Sequence, residues 1–259
     1  MSKINNIISV IKKIESDYLS MFKNIDFFSI NAVTKDNLTS VTKYDLEATN
    51  FCIKYIKDYF PESNIWIEEN QKILSENRNE LTWIIDPLDG TASFTRGYPI
   101  WGIGIAVLFK NQPIYSCFIA PRANFNVHSF ENTIFFNEIK INPMALTSIS
   151  NIDTKTIFIS SRLHKKINFS ILKEYKLRNF GSTLYHLFMV ALGKAESVLI
   201  SSSYIWDLAA VFHLGNITNC KFYEYNSNIE ISISKLLEIK NNKIDIILEY
   251  KKENLHEKK

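Results

Sequence analysis

The chain has 259 residues, 46% of them apolar, which is enough to fill the core of one large domain or of two smaller ones. Its 30 basic and 27 acidic residues give a formal net charge of +3, so we predict no nucleic-acid-binding surface. The longest apolar run, residues 100–109, is too short to cross a bilayer, and we predict no membrane segment. Three widely spaced cysteines predict reduced thiols in a cytoplasmic protein.

The first part of the chain predicts two helices followed by several strands. Isoleucines recur at helical spacing over residues 1–22 with lysines between them, a pattern unlike that of a signal peptide. A second helix is predicted over residues 46–60, with Asp45 just before its start and Pro61 at its end. Short branched and aromatic runs predict strands over residues 64–68, 81–86, 102–109, 113–120, 133–136 and 138–141.

A polar stretch that begins at Asn142 predicts a boundary near residue 145. It divides the chain into an N-terminal α+β half, residues 1–145, and a C-terminal α/β half, residues 146–259. Beyond the boundary, strands and helices alternate, with strands predicted over 156–160 and 197–200 and helices over 166–175, 184–192 and 206–214. The remainder is weakly patterned, and residues 251–259 form a charged tail.

One segment of the N-terminal half combines a buried strand with two carboxylates. In Trp83-Ile84-Ile85-Asp86-Pro87-Leu88-Asp89-Gly90-Thr91, we expect Pro87 to end the sheet ladder and Gly90 to allow a tight turn. Two carboxylates three residues apart repel each other unless a proton or a cation lies between them. A divalent metal ion is the simplest partner, since Mg²⁺ prefers hard oxygen ligands.

Asp86-Pro87-Leu88-Asp89-Gly90-Thr91 resembles the central motif of the inositol monophosphatase family. Further segments resemble other family motifs in the same order: Val41-Thr42-Lys43-Tyr44-Asp45, Glu68-Glu69-Asn70 and Trp206-Asp207-Leu208-Ala209-Ala210. The resemblance covers residues 5–215. It implies a layered αβαβα fold of α/β class with the active site between the two halves, and a homodimer. It also implies Mg²⁺-dependent, lithium-sensitive hydrolysis of a small phosphate ester, such as an inositol-like, sugar or polyol phosphate.

Carried over residue by residue, the resemblance assigns the metal ligands and the catalytic groups. It implies that Glu68, Asp86 and the Leu88 carbonyl hold one Mg²⁺. Asp86, Asp89 and Asp207 would hold a second ion, and a third, weaker metal would lie near Glu68. Thr91 and Asp45 would orient and activate the attacking water, with Glu68 as a further catalytic residue. The implied substrate contacts are Asp89, Gly90, Thr91, Gly181, Ser182, Thr183 and Asp207.

The chain departs from the family pattern on the substrate side. Counted without gaps from Asp207, Ile200 stands where inositol phosphatases aim a carboxylate at substrate hydroxyls, although a local gap would bring a serine of residues 201–203 there. A 3′-phosphoadenosine 5′-phosphate or histidinol-phosphate phosphatase is therefore an alternative. A catalytically silent metal- or phosphate-binding regulatory protein is an alternative of another class. A haloacid-dehalogenase mechanism fails because Pro87 occupies the nucleophile position. The sequence leaves the substrate and the pathway open.

Overall fold

The computed structural model describes residues 3–27, 30, 32–34, 40–69, 81–146, 155–165, 172–225, 227, 229–239 and 242–250. Its helices are α1 (Lys3–Phe22), α2 (Lys43–Tyr59), α3 (Thr91–Phe94), α4 (Pro143–Leu146), α5 (Thr183–Ala191), α6 (Trp206–Ala209), α7 (Phe212–Ile217) and α8 (Ile233–Ile239). No helix among these residues has the length and hydropathy needed to span a bilayer.

The strands of the first half are β1 (Ala32–Thr34), β2 (Ser40–Thr42), β3 (Asn64–Ile67), β4 (Leu81–Asp89), β5 (Gly102–Phe109), β6 (Gln112–Ala120), β7 (Phe125–Phe130), β8 (Thr133–Phe136) and β9 (Ile139–Ile141). Those of the second half are β10 (Thr156–Ile159), β11 (Lys176–Arg178), β12 (Ser197–Ser203), β13 (Cys220–Glu224) and β14 (Ile244–Tyr250). Short 3₁₀ helices lie at Pro121–Ala123 and Ser161–Lys165.

Within the described residues, β3 to β9 form a seven-stranded sheet in chain order. β3 and β4 run parallel, and the remaining neighbours are antiparallel. Successive side chains of a strand point to opposite faces, and the apolar residues of β5 follow this rule. Ile103, Ile105 and Val107 pack on the face that α1 and α2 cover, whereas Ala106 and Leu108 pack on the other face.

Helices α1 and α2 lie on one face of the seven-stranded sheet. The isoleucine spacing of α1 places Ile7, Ile11 and Ile14 against the core, where they are fully buried. α2 starts with a capping box, in which Thr42 accepts a hydrogen bond from the Tyr44 N–H and the Asp45 carboxylate accepts one from the Thr42 N–H.

The C-terminal half adds a second sheet, in the order β11-β10-β12-β14-β13. β11, β10 and β12 are parallel, and β14 and β13 are antiparallel to their neighbours. One apolar core joins the inner face of the seven-stranded sheet, the helices α5 to α7 and the five-stranded sheet. The predicted layered α/β fold is therefore confirmed. The division into halves near residue 145 stays a prediction, and the two sheets lie on either side of it.

Several predicted elements need correction in the first half. α2 begins at Lys43 and not at residue 46, so Asp45 lies inside its first turn. β4 continues past Pro87 to Asp89, because the proline is accommodated by a register shift between Asp86 and Asp89 rather than by the end of pairing. β7 was not predicted, and its burial alternates along the strand.

The second half departs further from the predictions. Residues 166–171 of the predicted helix 166–175 lie outside the described residues, and the short β11 begins at Lys176 directly after the helix's predicted end. The predicted helix 206–214 divides into α6 and α7. The weakly patterned C-terminal region forms β13, α8 and β14, and β12 extends to Ser203. The predicted charged tail, residues 251–259, lies outside the described residues.

Candidate active site

A cleft of about 260 Å³ lies between the two halves. Its N-terminal side is the end of β4 with the start of α3. Its C-terminal side is formed by the loops that follow β10 and β12 and by the starts of α5 and α6. Ligand sites of layered α/β proteins lie outside the carboxyl ends of strands, and this cleft has that position. Of the residues predicted from the sequence, Glu68, Asp86, Leu88, Asp89, Gly90, Thr91, Gly181, Thr183 and Asp207 line it.

Glu68, Asp86 and Asp207 bring three carboxylates together in the cleft. One oxygen of each lies within 4.8 Å of the others. The pairing of β3 with β4 continues as the Glu68 N–H donates to the Ile85 carbonyl at 3.2 Å, which sets Glu68 beside Asp86. Asp207 comes from the other half, in the first turn of α6, and accepts a hydrogen bond from the Tyr204 N–H at 2.8 Å.

The electrostatics of this group favour the uptake of positive charge. Burial, and then the charges of Glu68, Asp89 and Asp207, raise the pKa of Asp86 well above its ordinary value. Burial likewise raises the pKa of Asp207 to about 7. Protons or a cation must therefore neutralise part of this charge at neutral pH. The three groups offer only hard oxygen ligands, so the set fits Mg²⁺ or a related cation better than zinc or copper.

Asp89 lies in the same cleft but outside the close group of three carboxylates. It accepts hydrogen bonds from the Ser182 hydroxyl, from the Thr183 N–H at 3.1 Å and from the Leu184 N–H at 2.9 Å. Burial raises the pKa of Asp89 to about 6, and these hydrogen bonds oppose the rise. Asp89 thus holds the N-terminus of α5, and with it the C-terminal half, against the end of β4. Oδ2 accepts two of these hydrogen bonds, so Oδ1 is the oxygen that keeps a lone pair for another partner.

Two glycines allow the two halves to approach each other closely. Gly90 has a φ of +85°, and a Cβ there would lie 3.1 Å from the Gly181 carbonyl oxygen. Gly181 has a φ of +80°, and a Cβ there would collide with the Ser93 hydroxyl. The Ser93 hydroxyl donates to the Gly181 carbonyl at 3.1 Å. The glycines are thus required by backbone conformation and by lack of space.

Thr91 and Asp45 face each other as the sequence predicted. The Thr91 Oγ1 lies 3.3 Å from the Asp45 Oδ1 and 3.0 Å from the Leu88 carbonyl oxygen, so its proton can be donated to either. Asp45 is held by Thr42, whose N–H donates to Oδ2 at 2.7 Å and whose hydroxyl donates to the same oxygen. Burial raises the pKa of Asp45, and the two hydrogen bonds from Thr42 oppose the rise.

α3 is fixed in place by an aromatic cluster. Phe94 at its last position contacts Trp101, Phe22 and Tyr44, with ring centroids 4.9, 5.5 and 5.3 Å away. The first N–H groups of a helix have no acceptor within the helix. The start of α3 therefore presents donors to the cleft from an immobilised position.

Part of the C-terminal side of the cleft consists of residues that were not predicted from the sequence as site residues. Ser160, Ser161 and Arg162 follow β10, and residues 201–203 with Tyr204 end β12. Ile200 does not reach the cleft, because its side chain is buried in the core with 1% exposure. The available signal was the polar run after each predicted strand, since the carboxyl ends of neighbouring parallel strands meet at one edge.

The chain is similar in sequence to known proteins. A family model described as "Inositol monophosphatase family" matches residues 6–214. An inositol monophosphatase of Dictyostelium discoideum is 27% identical over 224 residues, which are 80% of this chain and 79% of that protein. A Vibrio cholerae protein named Nus factor SuhB is 37% identical over 95 residues, and the match spans 37% of this chain and only 35% of the relative.

The fold also matches solved structures. One is that of an IMPase/NADP phosphatase complexed with Mg²⁺ and phosphate, with a TM-score of 0.76 over 95% of this chain and 89% of that chain. The two sequences are 19% identical, so this likeness concerns the fold alone.

Proposed function

This chain belongs to the inositol monophosphatase family of phosphoric monoester hydrolases, and from this premise we propose that it hydrolyses a small phosphorylated metabolite with Mg²⁺ as its cofactor. The observation that carries the proposal is the group formed by Glu68, Asp86 and Asp207, whose oxygens lie within 4.8 Å of one another beside Thr91 in one cleft. Three carboxylates so close are a costly arrangement for a protein that binds no cation.

Glu68, Asp86 and Asp207, with Asp89 and the Leu88 carbonyl, are the proposed ligands of two Mg²⁺ ions. The set fits because its atoms are all oxygens and because burial disfavours their negative charge. When bound, Mg²⁺ would supply the positive charge that attracts phosphate oxygens and lowers the pKa of a water ligand. The relative crystallised with Mg²⁺ and phosphate supports the choice of metal.

Thr91 and Asp45 are the proposed residues that orient the attacking water. The Asp45 Oδ2 is engaged by Thr42, which leaves Oδ1 to accept the Thr91 proton at 3.3 Å. A Thr91 hydroxyl that donates to Asp45 directs its own lone pairs elsewhere, so it accepts a proton from water in the cleft. Burial raises the pKa of Asp45, and this makes the carboxylate a stronger proton acceptor than a solvated aspartate.

The substrate phosphate has its own proposed binding position at the start of α3. Gly90, Thr91 and Ala92 line the cleft, and their N–H groups lie at the start of this helix. Free N–H groups and the positive end of a helix favour an anion. Water gives up one proton through Thr91 to Asp45 and attacks phosphorus in line with the ester oxygen. The bond between phosphorus and that oxygen breaks, the departing oxygen takes up a proton, and the alcohol and inorganic phosphate are released.

Asp86→Asn is the direct test of this mechanism. Because burial raises the pKa of Asp86, asparagine mimics its protonated form, and the variant should fold. We expect Mg²⁺-dependent phosphate release to fall at least about 100-fold, in keeping with the loss of an essential catalytic group. Asp58→Asn, which changes an exposed carboxylate on α2, is the matched control and should keep the parental rate. A folded Asp86→Asn variant with parental activity would contradict the proposal.

The substrate is to be identified by phosphate release across inositol phosphates, histidinol phosphate, fructose bisphosphate, other sugar phosphates and 3′-phosphoadenosine 5′-phosphate. Each is assayed with Mg²⁺, with and without lithium, and we expect lithium to inhibit. A Thermotoga maritima relative named fructose-1,6-bisphosphatase/inositol-1-monophosphatase supports the inclusion of both substrate types. One preferred, metal-dependent ester would name the reaction.

A regulatory binding protein is the second candidate, because the Vibrio cholerae relative bears the name Nus factor. The contact between Thr91 and Asp45 argues against a purely binding role, since binding alone gives no reason to aim this pair into a metal site. A wild-type protein that binds Mg²⁺ but releases phosphate from no ester in the panel would favour this second candidate.

The proposal includes a homodimer in the cytoplasm, without nucleic-acid or membrane partners. Cys52, Cys117 and Cys220 are buried free thiols, which suits a reducing compartment. Sedimentation of the purified protein tests the dimer directly.

A further inference from the structure

The two sides of the cleft differ in charge. The side that carries Glu68, Asp86 and Asp89 is acidic. The opposite side carries Asp207 at the start of α6 and a set of residues here called the distal wall: Ser160, Ser161, Arg162, Ser201–Ser203 and Tyr204. Among the described residues that line the cleft, the distal wall contains hydroxyl groups and one cation but no carboxylate.

The distal wall is held by the pairing of two parallel strands. β10 pairs with β12, with Ile159 opposite Leu199, so the loops after both strands leave the sheet at the same edge. The Ser201 N–H donates to the Ser160 hydroxyl at 3.1 Å and joins the two loops. This wall is therefore part of the sheet's framework.

β12 reaches the cleft at a bulge. The register of β12 with β14 shifts between Ile200 and Ser203, and Ser202 has a φ of +60°. The Ser202 N–H donates to the Asp245 Oδ1 at 2.7 Å, which holds the bulge against β14. Ile200, which still pairs with Ile246 before the shift, is buried in the core, whereas Ser201–Ser203 line the cleft. Substrate hydroxyls thus meet no carboxylate acceptor on this wall.

Two cations lie at the distal wall or beside it. Arg162 is exposed at the cleft, and the Lys243 Nζ lies 5.0 Å from the ring centroid of Tyr204. A wall of hydroxyl donors with nearby cations suits an anion better than an uncharged polyol.

We propose that the distal wall binds a second anionic group of the substrate, a phosphate or a carboxylate, through Arg162 and the serine hydroxyls. The inference rests on the proposed function. The substrate class is then a compact metabolite with two anionic groups, one of which is the phosphate ester whose P–O bond is broken by water. The second anion leaves the reaction unchanged, on the alcohol product.

The test compares substrates that differ only in the second anion. Fructose 1,6-bisphosphate is paired with fructose 6-phosphate, and 3-phosphoglycerate is paired with glycerol 3-phosphate. We expect kcat/KM of the wild-type protein to be at least about tenfold higher for the doubly anionic member of one pair, through a lower KM, as for a hydrogen bond to a charged group. The first pair reports on a phosphate and the second on a carboxylate.

Arg162→Gln should reduce the ratio of the two kcat/KM values, doubly anionic over singly anionic substrate, about tenfold, because it removes the charge that binds the second anion. Arg178→Gln is the matched control, since Arg178 is exposed in the same half and does not line the cleft. The control should keep both the ratio and the rates. High salt should also reduce this ratio of kcat/KM values for the wild-type protein, because salt screens the attraction between an exposed arginine and an anion.

Equal kcat/KM within both pairs would overturn the inference and leave the proposed function intact. A loss in Arg162→Gln of the same size for both members of a pair would also overturn it, since the arginine would then act at the reacting phosphate. Phosphate release from none of these substrates and from no ester of the wider panel, with Mg²⁺ binding shown by calorimetry, would overturn the proposed function itself.

Discussion

The carboxylate cluster makes the stability of the metal-free protein depend on pH in an unusual direction. Burial raises the pKa of Asp207 to about 7, whereas an aspartate in an unfolded chain titrates near about 3.9. Between these values the folded protein binds a proton that the unfolded chain has lost. The native state therefore holds more protons, and the free energy of unfolding falls as the pH rises.

The size of the effect follows from the pKa difference. One pKa unit corresponds to about 1.4 kcal/mol, so Asp207 alone should remove roughly 3 kcal/mol of stability between about pH 5 and pH 8. Asp89, with a pKa raised to about 6, acts in the same direction. Asp207→Asn is neutral at every pH and keeps an acceptor for the Tyr204 N–H, so it should lose the Asp207 part of this dependence.

The assay is urea denaturation in the presence of EDTA at several pH values, for the wild-type protein, Asp207→Asn and the exposed-site control Asp58→Asn. The series is then repeated with excess Mg²⁺. Cation binding requires ionised carboxylates, so Mg²⁺ should stabilise the wild-type protein more at pH 8 than at pH 5. A concentration of about 100 times Kd should add about 2.7 kcal/mol. Equal pH dependence of the wild-type protein and Asp207→Asn without metal would refute the reasoning.

Three further substitutions test the framework of the site. Thr91→Val should lower kcat about 100-fold or more without unfolding the protein, whereas Thr95→Val, directly after the end of the same short helix, should leave kcat unchanged; steady-state kinetics decides. Gly181→Ala should destabilise the fold by about 1–3 kcal/mol, because it strains a positive φ and meets the Ser93 hydroxyl. Adding Ser93→Ala should recover part of that loss in a double-mutant cycle, and strictly additive losses would contradict the predicted clash. Thr42→Val should cost about 1 kcal/mol in denaturant titrations, since it removes the hydroxyl of the α2 capping box, and unchanged stability would count against it.

Periodicity predicted the long elements well and the short ones poorly. α1 carries a helical pattern over several turns, and β5 carries an apolar pattern over its whole length. Such patterns predict an element without knowledge of the segments that pack on it. β11 has three residues, of which two are exposed, and it becomes a strand only because β10 lies beside it. Local patterns do not contain that partner, so elements of this kind could not be predicted from the sequence.

The same distinction applies within the candidate site. The run from Asp86 to Thr91 is contiguous, so the strand and the turn at Gly90 were readable in the sequence, although β4 ends at Asp89 and not at the predicted Asp86. Asp207 was predicted through the family motif, since no pattern near it in the chain indicates that it lies beside Asp86, more than a hundred residues away. Arg162 was not predicted as part of the site, because an exposed arginine after a strand has no distinguishing pattern of its own.

The sequence by itself determined the family, the layered α/β class and the identity of the acidic and hydroxyl groups, because these depend on residue type and on local spacing. Only the tertiary structure decided how those groups are used. It committed Asp89 to the N-terminus of α5, brought Glu68, Asp86 and Asp207 within 4.8 Å of one another, and buried Ile200 in the core while the serines after it line the cleft. These outcomes depend on strand register and on contacts between distant segments, where a shift of one residue reverses the face that a side chain occupies.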